Sequence, residues 1–342
     1  MSAGLSGTTV CVAYQAATHD VGGLLAGHAG GATIHAMPAS ASVYNGPIID
    51  AHHHFWNLAG GHYPWLTEGS GITALGNVAY MRRSYLPDDY EADIRGQGVV
   101  ASVHVEAVWD RTRSPVEETA WLAALPRPPG IAARFVAAAP LADPDLPGLL
   151  DAHAAYPIVA GIRETIRWHP DPAKRWTPPG IVDEPAWRAG LARLARYGWL
   201  LELLMNPHQA LEVAALARDM PGQVFVVNHC CTPNDRDAEG MARWRHGLTA
   251  MGRQPNILIK VSNYAAYSFE RTFEADRDTL RTCIDAFGPQ RCMFGSDYPV
   301  ARRTLAYPEL VQRFREVAAE YTAAEQRDLF HGTAARTYGI AG

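Results

Sequence analysis

The sequence predicts an α/β fold of the (β/α)8, or TIM-barrel, type. Three observations support this prediction: eight short apolar runs, amphipathic stretches between them, and a length that suits one large domain. The chain has 342 residues, and single α/β barrels of about 250 residues are common. The run with the clearest pattern, Val224–Val227, consists of four consecutive apolar residues. Such a run is typical of a parallel strand that is buried on both faces.

Strands and helices are predicted to alternate along the chain, which favours a parallel sheet with helices outside it. The eight predicted strands are Pro47–His52, Val99–Glu106, Ala133–Ala139, Val159–Ile166, Trp199–Met205, Val224–His229, Ile257–Ser262 and Arg291–Ser296. Apolar residues near a 3.6-residue period predict helices between several of them. These helices, with two at the C-terminus that would complete the outer ring, are Pro115–Leu125, Glu184–Tyr197, Pro207–Arg218, Phe273–Phe287, Pro308–Tyr321 and Ala323–Tyr338.

The composition is that of a soluble globular protein and argues against several kinds of partner. Hydrophobic residues make up 48%, charged residues 19%, and the formal net charge is −5. Nucleic acids and anionic membranes favour a basic surface, so neither is an expected partner. No stretch has the roughly 18 apolar residues of a membrane span. Five cysteines without a CxxC pair predict neither a disulfide framework nor a zinc ribbon, and we expect a cytoplasmic protein.

Residues 1–45 differ from the rest of the chain. They are rich in small residues and contain one acidic residue, Asp20, but no lysine or arginine. They lack the basic start and compact apolar stretch of a secretory signal. We predict that they form a dispensable, flexible N-terminal extension, followed by one barrel domain over residues 46–342.

Two long connections are predicted between strands. Long loops in compact domains are usually functional or disordered. The first connection, residues 55–98, contains aromatic residues that include Trp56 and Trp65, and these favour an ordered loop packed over the barrel mouth. The second, residues 169–185, contains five prolines and Trp176. It suits either part of a substrate lid or a plain crossing of the surface.

The strongest chemical signal lies at the end of the first predicted strand, in Asp50-Ala51-His52-His53-His54. Side chains of a strand alternate between its faces, so His52 and His54 should point one way and His53 the other. TIM-barrel enzymes have their active sites at the C-terminal ends of the strands. If the first pair faces the barrel axis, two imidazoles can bind one metal ion or polarise one carbonyl group.

Two further polar residues follow predicted strands. His229 ends the run that begins at Val224, and Asp297 follows the last strand. A carboxylate there can accept a proton from an attacking water. Taken singly, His229 suits a hydrogen-bonded core residue and Asp297 suits a helix N-cap. Together with the first-strand pair, they bring three histidines and one aspartate to strand ends of one barrel.

Several residues are candidates for contact with substrate. Arg163, late in the fourth strand, suits a carboxylate through bidentate pairing, so we expect a small-molecule substrate that carries one; a salt bridge within the protein is equally consistent. Arg167, which follows it in the chain, is a second candidate for that role. Glu106 suits a contact with substrate or metal, or the orientation of a histidine. Lys260 suits a substrate contact or an internal ion pair, and Trp56 suits the pocket lining or packing beneath the loop. The arginine-rich helices suit either solvent or the contact of a homodimer.

These residues belong to motifs that resemble the amidohydrolase superfamily, specifically the amidohydrolase 2 family. The resemblance extends from about Ile48 to the C-terminus. The His-x-His-Phe-Trp opening and the Gly-Ser-Asp-aromatic-Pro close are most similar to the branch of sugar lactonases and 2-pyrone-4,6-dicarboxylate lactonases. The motifs that carry it are Ile49–Trp56, Tyr63–Leu66, Val103–Ala107, Gly161–Arg163, Val227–His229, Lys260–Ser262, Phe294–Pro299 and Ala334–Tyr338.

The resemblance implies roles for the four strand-end residues. His52 and His54 match the first-strand pair that binds metal or polarises the carbonyl, His229 matches the later strand-end histidine, and Asp297 matches the general base. The same four would be the ligands if a metal is bound. The resemblance implies one divalent ion, zinc first, or a metal-free mechanism. A two-metal centre is not expected, because the seventh predicted strand has no histidine and the fourth and fifth have no lysine.

We therefore predict a hydrolase that opens the lactone of a sugar acid or of an intermediate in aromatic degradation. Asp297 would activate water, while the three histidines would polarise the carbonyl directly or through one metal ion. Three alternatives stay open at this stage. They are a metal-dependent non-oxidative decarboxylase of an aromatic or related acid, an amide hydrolase on the same scaffold, and a non-catalytic binding barrel.

Overall fold

The fold is an eight-stranded parallel barrel, seen in a computed structural model that describes residues 42–67, 78–267 and 271–341. Each strand pairs with the next one in sequence, in the order β1 to β8. The predicted (β/α)8 barrel is confirmed, and the ends of all eight strands agree with the predictions to within two residues. The strands are β1 Ile48–His53, β2 Val99–Val105, β3 Arg134–Ala138, β4 Val159–Thr165, β5 Leu200–Leu204, β6 Phe225–Val227, β7 Ile257–Ser262 and β8 Cys292–Gly295.

Helices follow the strands around the outside of the barrel. Three of them, α1, α3 and α6, were not predicted, because prolines, glycines or a short acidic sequence obscure their periodicity. Gly247 of α6 lets this helix pack closely against α5, because a Cβ atom at that position would lie 2.5 Å from the Cβ of Ala210. The helices are α1 Pro87–Ile94, α2 Val116–Ala124, α3 Leu146–Ala154, α4 Pro185–Arg193, α5 Ala210–Asp219, α6 Ala238–Gly252, α7 Phe273–Phe287, α8 Tyr307–Ala318, α9 Ala323–Arg327 and α10 Thr333–Tyr338.

The last predicted helix is interrupted. A π-helical turn, Asp328–Gly332, separates α9 from α10. Tyr338 of α10 belongs to the apolar cluster inside the barrel, and its hydroxyl donates to Glu202 Oε1 at 2.6 Å. Arg134, at the start of β3, donates to the Tyr338 carbonyl at 2.9 Å. The C-terminal helix therefore packs at the end of the barrel opposite to the strand ends that carry the candidate residues.

Asp50 connects β1 with β8 and with two helices. Its fully buried carboxylate accepts from Ser296 N at 2.8 Å and from Ser296 Oγ at 2.6 Å. The hydroxyls of Tyr90 in α1 and Tyr307 in α8 also donate to it, at 2.8 Å and 3.0 Å. Because Ser296 follows β8 directly, this cluster of hydrogen bonds holds the two ends of the barrel sheet together.

A bulge in β1 determines which side chains face the barrel interior. The pairing of β1 with β2 changes register between Asp50 and His53, and an extra residue of this kind changes the face on which later side chains lie. Asp50 contacts helix tyrosines outside the sheet, whereas the His52 ring lies 4.5 Å from the His229 ring, centroid to centroid. Without the bulge, Asp50 and His52 would share a face.

The N-terminal extension lies mostly outside the described residues, which begin at residue 42. Tyr44 stacks on Phe330 with ring centroids 4.9 Å apart, and its hydroxyl donates to the Pro47 carbonyl at 2.8 Å. Packing against the barrel domain therefore includes Tyr44, two residues before the predicted domain boundary. The flexibility and dispensability of the residues before it stay predictions.

Four cysteines lie in the described part of the chain. They are Cys230, Cys231, Cys283 and Cys292, and all four are free and buried. No helix within the described ranges has both the length and the apolarity that crossing a membrane requires.

Glu118 of α2 is expected to make stability depend on pH. Its carboxyl group is fully buried, and its Oε1 accepts from Ala107 N at 2.8 Å. Burial, reinforced by the charge of Glu106, raises the Glu118 pKa from 4.5 to about 8. The folded protein thus retains a proton that the unfolded chain releases. This contribution to stability is full below pH 4.5 and is lost as the pH rises through about 8.

We therefore expect the free energy of unfolding of the wild-type protein to fall by about 1 kcal/mol more between pH 7 and pH 9 than that of Glu118→Gln. Glutamine keeps an oxygen acceptor for Ala107 N but has no proton to lose. Urea titrations at the two pH values measure the difference. Glu117→Gln, one residue earlier and partly exposed, is the control. Equal pH slopes for wild type and Glu118→Gln would show that Glu118 does not titrate in this range.

Candidate active site

A pocket opens at the C-terminal ends of the strands. Its lining includes His54 from the end of β1, Arg163 from β4, His229 after β6 and Asp297 after β8. The two long connections contribute Trp65 and Trp176. Trp65 is fixed by a hydrogen bond from its Nε1 to the Ala107 carbonyl at 2.8 Å. Residues 68–77 of the first connection lie outside the described ranges.

The three predicted histidines converge on one oxygen atom of Asp297. Its Oδ1 lies 3.1 Å from Nε2 of His54, 3.6 Å from Nε2 of His52 and 3.8 Å from Nε2 of His229. His52 is fully buried, and the other three are at least 95% buried. The structure therefore brings together all four residues predicted as catalytic or metal-binding, and His53 points away, stacked on Tyr90 at 4.4 Å.

The hydrogen bonds of His54 require a positive charge between it and Asp297. Its Nδ1 lies 2.8 Å from the Val105 carbonyl, which can only accept, so Nδ1 carries a proton. In neutral imidazole Nε2 is then an acceptor, yet it faces a carboxylate oxygen at 3.1 Å. Two acceptors are held at this distance by a shared proton or by a cation. The site thus has room for one positive charge, whether a proton or a metal ion.

Three donor atoms in this cluster suit a metal ion. One atom each from His52, His229 and Asp297 lie within 4.8 Å of one another, and four ligands arranged tetrahedrally around zinc lie about 3.4 Å apart. Both ring nitrogens of His52 are buried without a hydrogen-bond partner. Burial lowers the pKa of His52 well below its ordinary value and that of His229 to about 4. Both rings are therefore neutral at pH 7 and have a lone pair free for a metal.

Hydrogen bonds also orient the ligands. The Nδ1 of His229 lies 2.9 Å from Oγ of Ser262, at the end of β7, which leaves Nε2 directed at Asp297. Burial acts to raise the pKa of Asp297, but the neighbouring His229 and His54 outweigh it and lower that pKa below its ordinary value. Asp297 is accordingly ionised at neutral pH, and it can accept a proton or bind a cation.

A second group of potential ligands lies outside the pocket. His169, His208 and Asp235 also bring three donor atoms within 4.8 Å of one another. Two basic side chains already contact the carboxylate of Asp235, Lys174 at 2.6 Å and Arg243 at 3.4 Å. Their charges neutralise Asp235 and repel a further cation, so this group is better explained as an ion-pair network.

The backbone is strained around the pocket. Four non-glycine residues of its lining have positive φ angles: Val108 at 58°, His229 at 51°, Asn263 at 49° and Asp297 at 57°. This left-handed conformation costs free energy for residues with a Cβ atom, most of all for a β-branched one. Such strain is concentrated at functional sites, where the surrounding structure holds it in place. Here it aims two of the four central side chains at one point.

The profile of the amidohydrolase family matches residues 49–340, which is most of the chain. The chain belongs to the amidohydrolase family. The resemblance noted in the sequence motifs is thus confirmed, and the protein is a hydrolase of this family.

Individual relatives of this amidohydrolase cover nearly all of the barrel domain. An L-fucono-1,5-lactonase of Burkholderia multivorans is 31% identical over 85% of this chain and 96% of its own length. An uncharacterised protein of Sinorhizobium fredii is 32% identical over 86% of this chain and 98% of its own. A crystal structure of an amidohydrolase of Burkholderia multivorans with bound zinc superposes with a TM-score of 0.71, at 28% identity, over 86% of this chain and all of that one.

Two of the residues predicted to contact substrate form an ion pair in this amidohydrolase. Arg163 Nε donates to Glu106 Oε1 at 2.6 Å, and Arg163 Nη2 donates to the Glu106 carbonyl at 2.7 Å. Although burial acts to raise it, the pKa of Glu106 is lowered because Arg163 lies beside it. Arg163 still lines the pocket, but its charge is balanced by Glu106. A direct contact of either residue with substrate stays a prediction.

The other two predicted substrate contacts, Lys260 and Trp56, lie in the wall behind the pocket. Neither is among its lining residues, and both are fully buried. Lys260 Nζ pairs with Glu202 Oε1 at 2.6 Å, the internal ion pair that the sequence left open. Trp56 donates from Nε1 to the Arg83 carbonyl at 2.7 Å and packs beneath the first connection. Both side chains are therefore held in the interior of this amidohydrolase, and a direct contact of either with substrate stays a prediction.

Sequence reasoning missed two residues that shape this site. Ser262 orients His229, and Asp50 joins the strands that carry His52 and Asp297. Asp50 is the first residue of the Asp-x-His motif, and its place beside the histidines was a usable signal. Ser262 gave no signal, because its contact with His229 comes from another strand. Arg167, the second candidate for a substrate carboxylate, lines the pocket.

Proposed function

We propose that the protein hydrolyses a lactone, with the ring of a sugar acid as first choice and that of an aromatic-degradation intermediate as second. The observation that carries the proposal is the convergence of three buried imidazoles on Asp297 Oδ1, at 3.1 to 3.8 Å. This arrangement combines a base for water with groups that polarise a carbonyl. The L-fucono-1,5-lactonase at 31% identity supports a lactone over other substrates of the family.

Asp297 is proposed as the general base. Its ionised, buried carboxylate takes a proton from the water whose oxygen attacks the lactone carbonyl carbon. The ester bond of the tetrahedral adduct then breaks, and the leaving alkoxide takes the proton from Asp297. The products are one hydroxyl group and one carboxylic acid, which ionises in solution. An alkoxide leaves more readily than an amide nitrogen, so one carboxylate suffices for both proton transfers.

The histidines are proposed to stabilise the oxyanion that forms on the carbonyl oxygen, directly or by holding an ion. His52, His229 and Asp297 would hold a divalent ion, with His54 beside them, and we propose zinc. Support comes from the nitrogen and carboxylate donors, which suit zinc, and from the zinc-bound relative at 28% identity. When bound, such an ion supplies Lewis acidity, which lowers the pKa of water and polarises the carbonyl.

Substrate tests compare lactones with the rival chemistries. L-fucono-1,5-lactone, D-glucono-1,4-lactone and 2-pyrone-4,6-dicarboxylate are assayed by acid release, with spontaneous hydrolysis subtracted. We expect at least one lactone to be opened far above background, with no release of carbon dioxide from 2,6-dihydroxybenzoate. Carbon dioxide release without lactone opening would support the decarboxylase, and cleavage of amides alone would support the amidase. Tight binding without turnover would support the binding barrel.

Metal content is a separate prediction. We expect untagged protein purified without chelator to contain about one zinc ion per chain, measured by elemental mass spectrometry. His229→Asn should lower that content, because it removes a ligand of the central group. His208→Asn, in the ion-pair network outside the pocket, is the matched control and should leave the content unchanged. Metal-free protein with full lactonase activity would favour the mechanism in which the histidines act directly.

A further inference from the structure

Arg167 is a buried cation that faces the pocket without a carboxylate partner among the described residues. Its side chain is 5% exposed, and it lies in the pocket lining. Its Nε donates to the amide oxygen of Asn206 at 3.3 Å, and its Cζ lies 4.7 Å from the centre of the Trp176 ring. Both partners are uncharged. They fix the plane of the guanidinium and leave its charge uncompensated.

The other basic groups buried around the pocket are paired. Arg163 is bound to Glu106, and Lys260 is bound to Glu202. Removing a cation from water is costly unless an anion compensates it. A site that neutralises two buried cations and leaves a third facing the pocket is complementary to a ligand that brings one negative charge. Asp297 does not supply it, because its Oδ1 already faces three histidines.

We propose that Arg167 binds an anionic group of the substrate, so that the preferred substrates are lactones that carry a second, ionised carboxyl group. This inference rests on the proposed lactonase function. With Nε used by Asn206, the two Nη groups keep four N–H donors for a carboxylate. The lactone carbonyl would lie at the histidines and Asp297, and the carboxylate at the Trp176 side of the pocket.

The side chain of Arg167 is not needed to hold the second connection in place. The backbone carbonyl of Arg167 accepts from Trp176 N at 2.8 Å and from Thr177 N at 3.3 Å. Any residue at position 167 can keep these two bonds. A purely structural role would therefore rest on the long 3.3 Å bond to Asn206 and on stacking against Trp176, and an apolar side chain of similar length can retain the stacking. A methionine at this position removes the charge of Arg167 and can keep its packing against Trp176.

The kinetic test uses two lactones with the same ring, D-glucaro-1,4-lactone, which carries a carboxylate, and D-glucono-1,4-lactone, which does not. We expect wild type to have a kcat/KM about 10- to 100-fold higher for the first. Arg167→Met should lose this preference, because its kcat/KM falls much further for the first lactone than for the second, while Arg167→Lys should keep part of the preference. Arg218→Met, at a side chain that is 68% exposed, is the control. An equal loss on both lactones in Arg167→Met would show a structural role and overturn the proposal.

A binding test does not depend on turnover. Calorimetry compares glucarate with gluconate, which differ by the same carboxylate, on wild type and Arg167→Met. Tighter binding of glucarate that disappears in Arg167→Met supports the anion site, even if neither lactone is opened and the lactonase proposal fails. Equal binding of the two acids by wild type, or equal turnover of the two lactones, would show that Arg167 is not an anion site. If lactone turnover is observed in that case, the lactonase proposal is still supported.

Discussion

Replacing Asp297 with asparagine is expected to lower kcat/KM for lactone hydrolysis by about a thousandfold while the barrel stays folded. Asparagine has the same shape and keeps one oxygen near the three imidazoles. It cannot take a proton from water, and the backbone bond from Asp297 N to the His52 carbonyl, at 2.7 Å, does not involve its side chain. The loss is therefore chemical, and it should appear mainly in kcat.

The assay for Asp297→Asn needs two accompanying measurements. Circular dichroism shows whether the variant is folded, and elemental analysis shows whether its metal content equals that of the wild-type protein. The matched control is Asp235→Asn, because Asp235 also accepts from a histidine, His169 Nε2 at 2.9 Å, but lies outside the pocket lining. We expect this control to have nearly wild-type activity. An Asp297→Asn protein with wild-type kcat/KM would mean that another group deprotonates the water.

Replacing Asp50 with alanine is expected to lower the free energy of unfolding by about 3 to 5 kcal/mol. The substitution leaves the hydroxyls of Tyr90, Tyr307 and Ser296, and the Ser296 N–H, without their common acceptor. These groups are buried, and a water molecule can replace the lost carboxylate only if β1 and β8 move apart. Denaturant unfolding measures the change.

Asp50→Asn tests whether the acceptor or the charge matters. It keeps one oxygen for Ser296 N, and the tyrosine hydroxyls can rotate to accept from its amide, so we expect less than half of the alanine effect. Activity should also fall in Asp50→Ala, because Ser296 and Asp297 are adjacent in the chain. An unchanged midpoint of unfolding in Asp50→Ala would show that backbone contacts alone hold β1 and β8 together.

The sequence was most informative where local pattern decides structure. Short apolar runs marked all eight strands, and several of these runs are continuous, because buried parallel strands are apolar on both faces. The ends of such strands meet at one rim, so His52, His229 and Asp297 could be brought together without any distance information. The helix α6 was missed for the opposite reason. Its Gly247 is there to let another helix approach, and a glycine chosen for packing looks in sequence like one that ends a helix.

Contacts between distant strands were beyond the reach of the sequence. The Arg163–Glu106 pair joins β4 with β2, and whether each residue meets the other or the substrate depends on register and side-chain rotamers. The bulge in β1 defeats simple alternation, which would have directed Asp50 to the same side as His52. Arg163 and Arg167 were both candidates for a substrate carboxylate, and only the structure shows that Arg163 already has a carboxylate partner, Glu106.

The same bulge has a consequence for how this protein can change through evolution or engineering. Within one six-residue strand, Asp50 and His53 meet the surrounding helices while His52 meets the reaction centre. Residues that stabilise the barrel and residues that face the candidate active site are thus neighbours in the sequence, but their side chains lie on opposite faces of β1. Substitutions among the tyrosines that meet Asp50 can adjust thermal tolerance with little effect on selectivity. If Arg167 binds substrate as proposed, exchanging it should change the substrate preference and leave that tolerance intact.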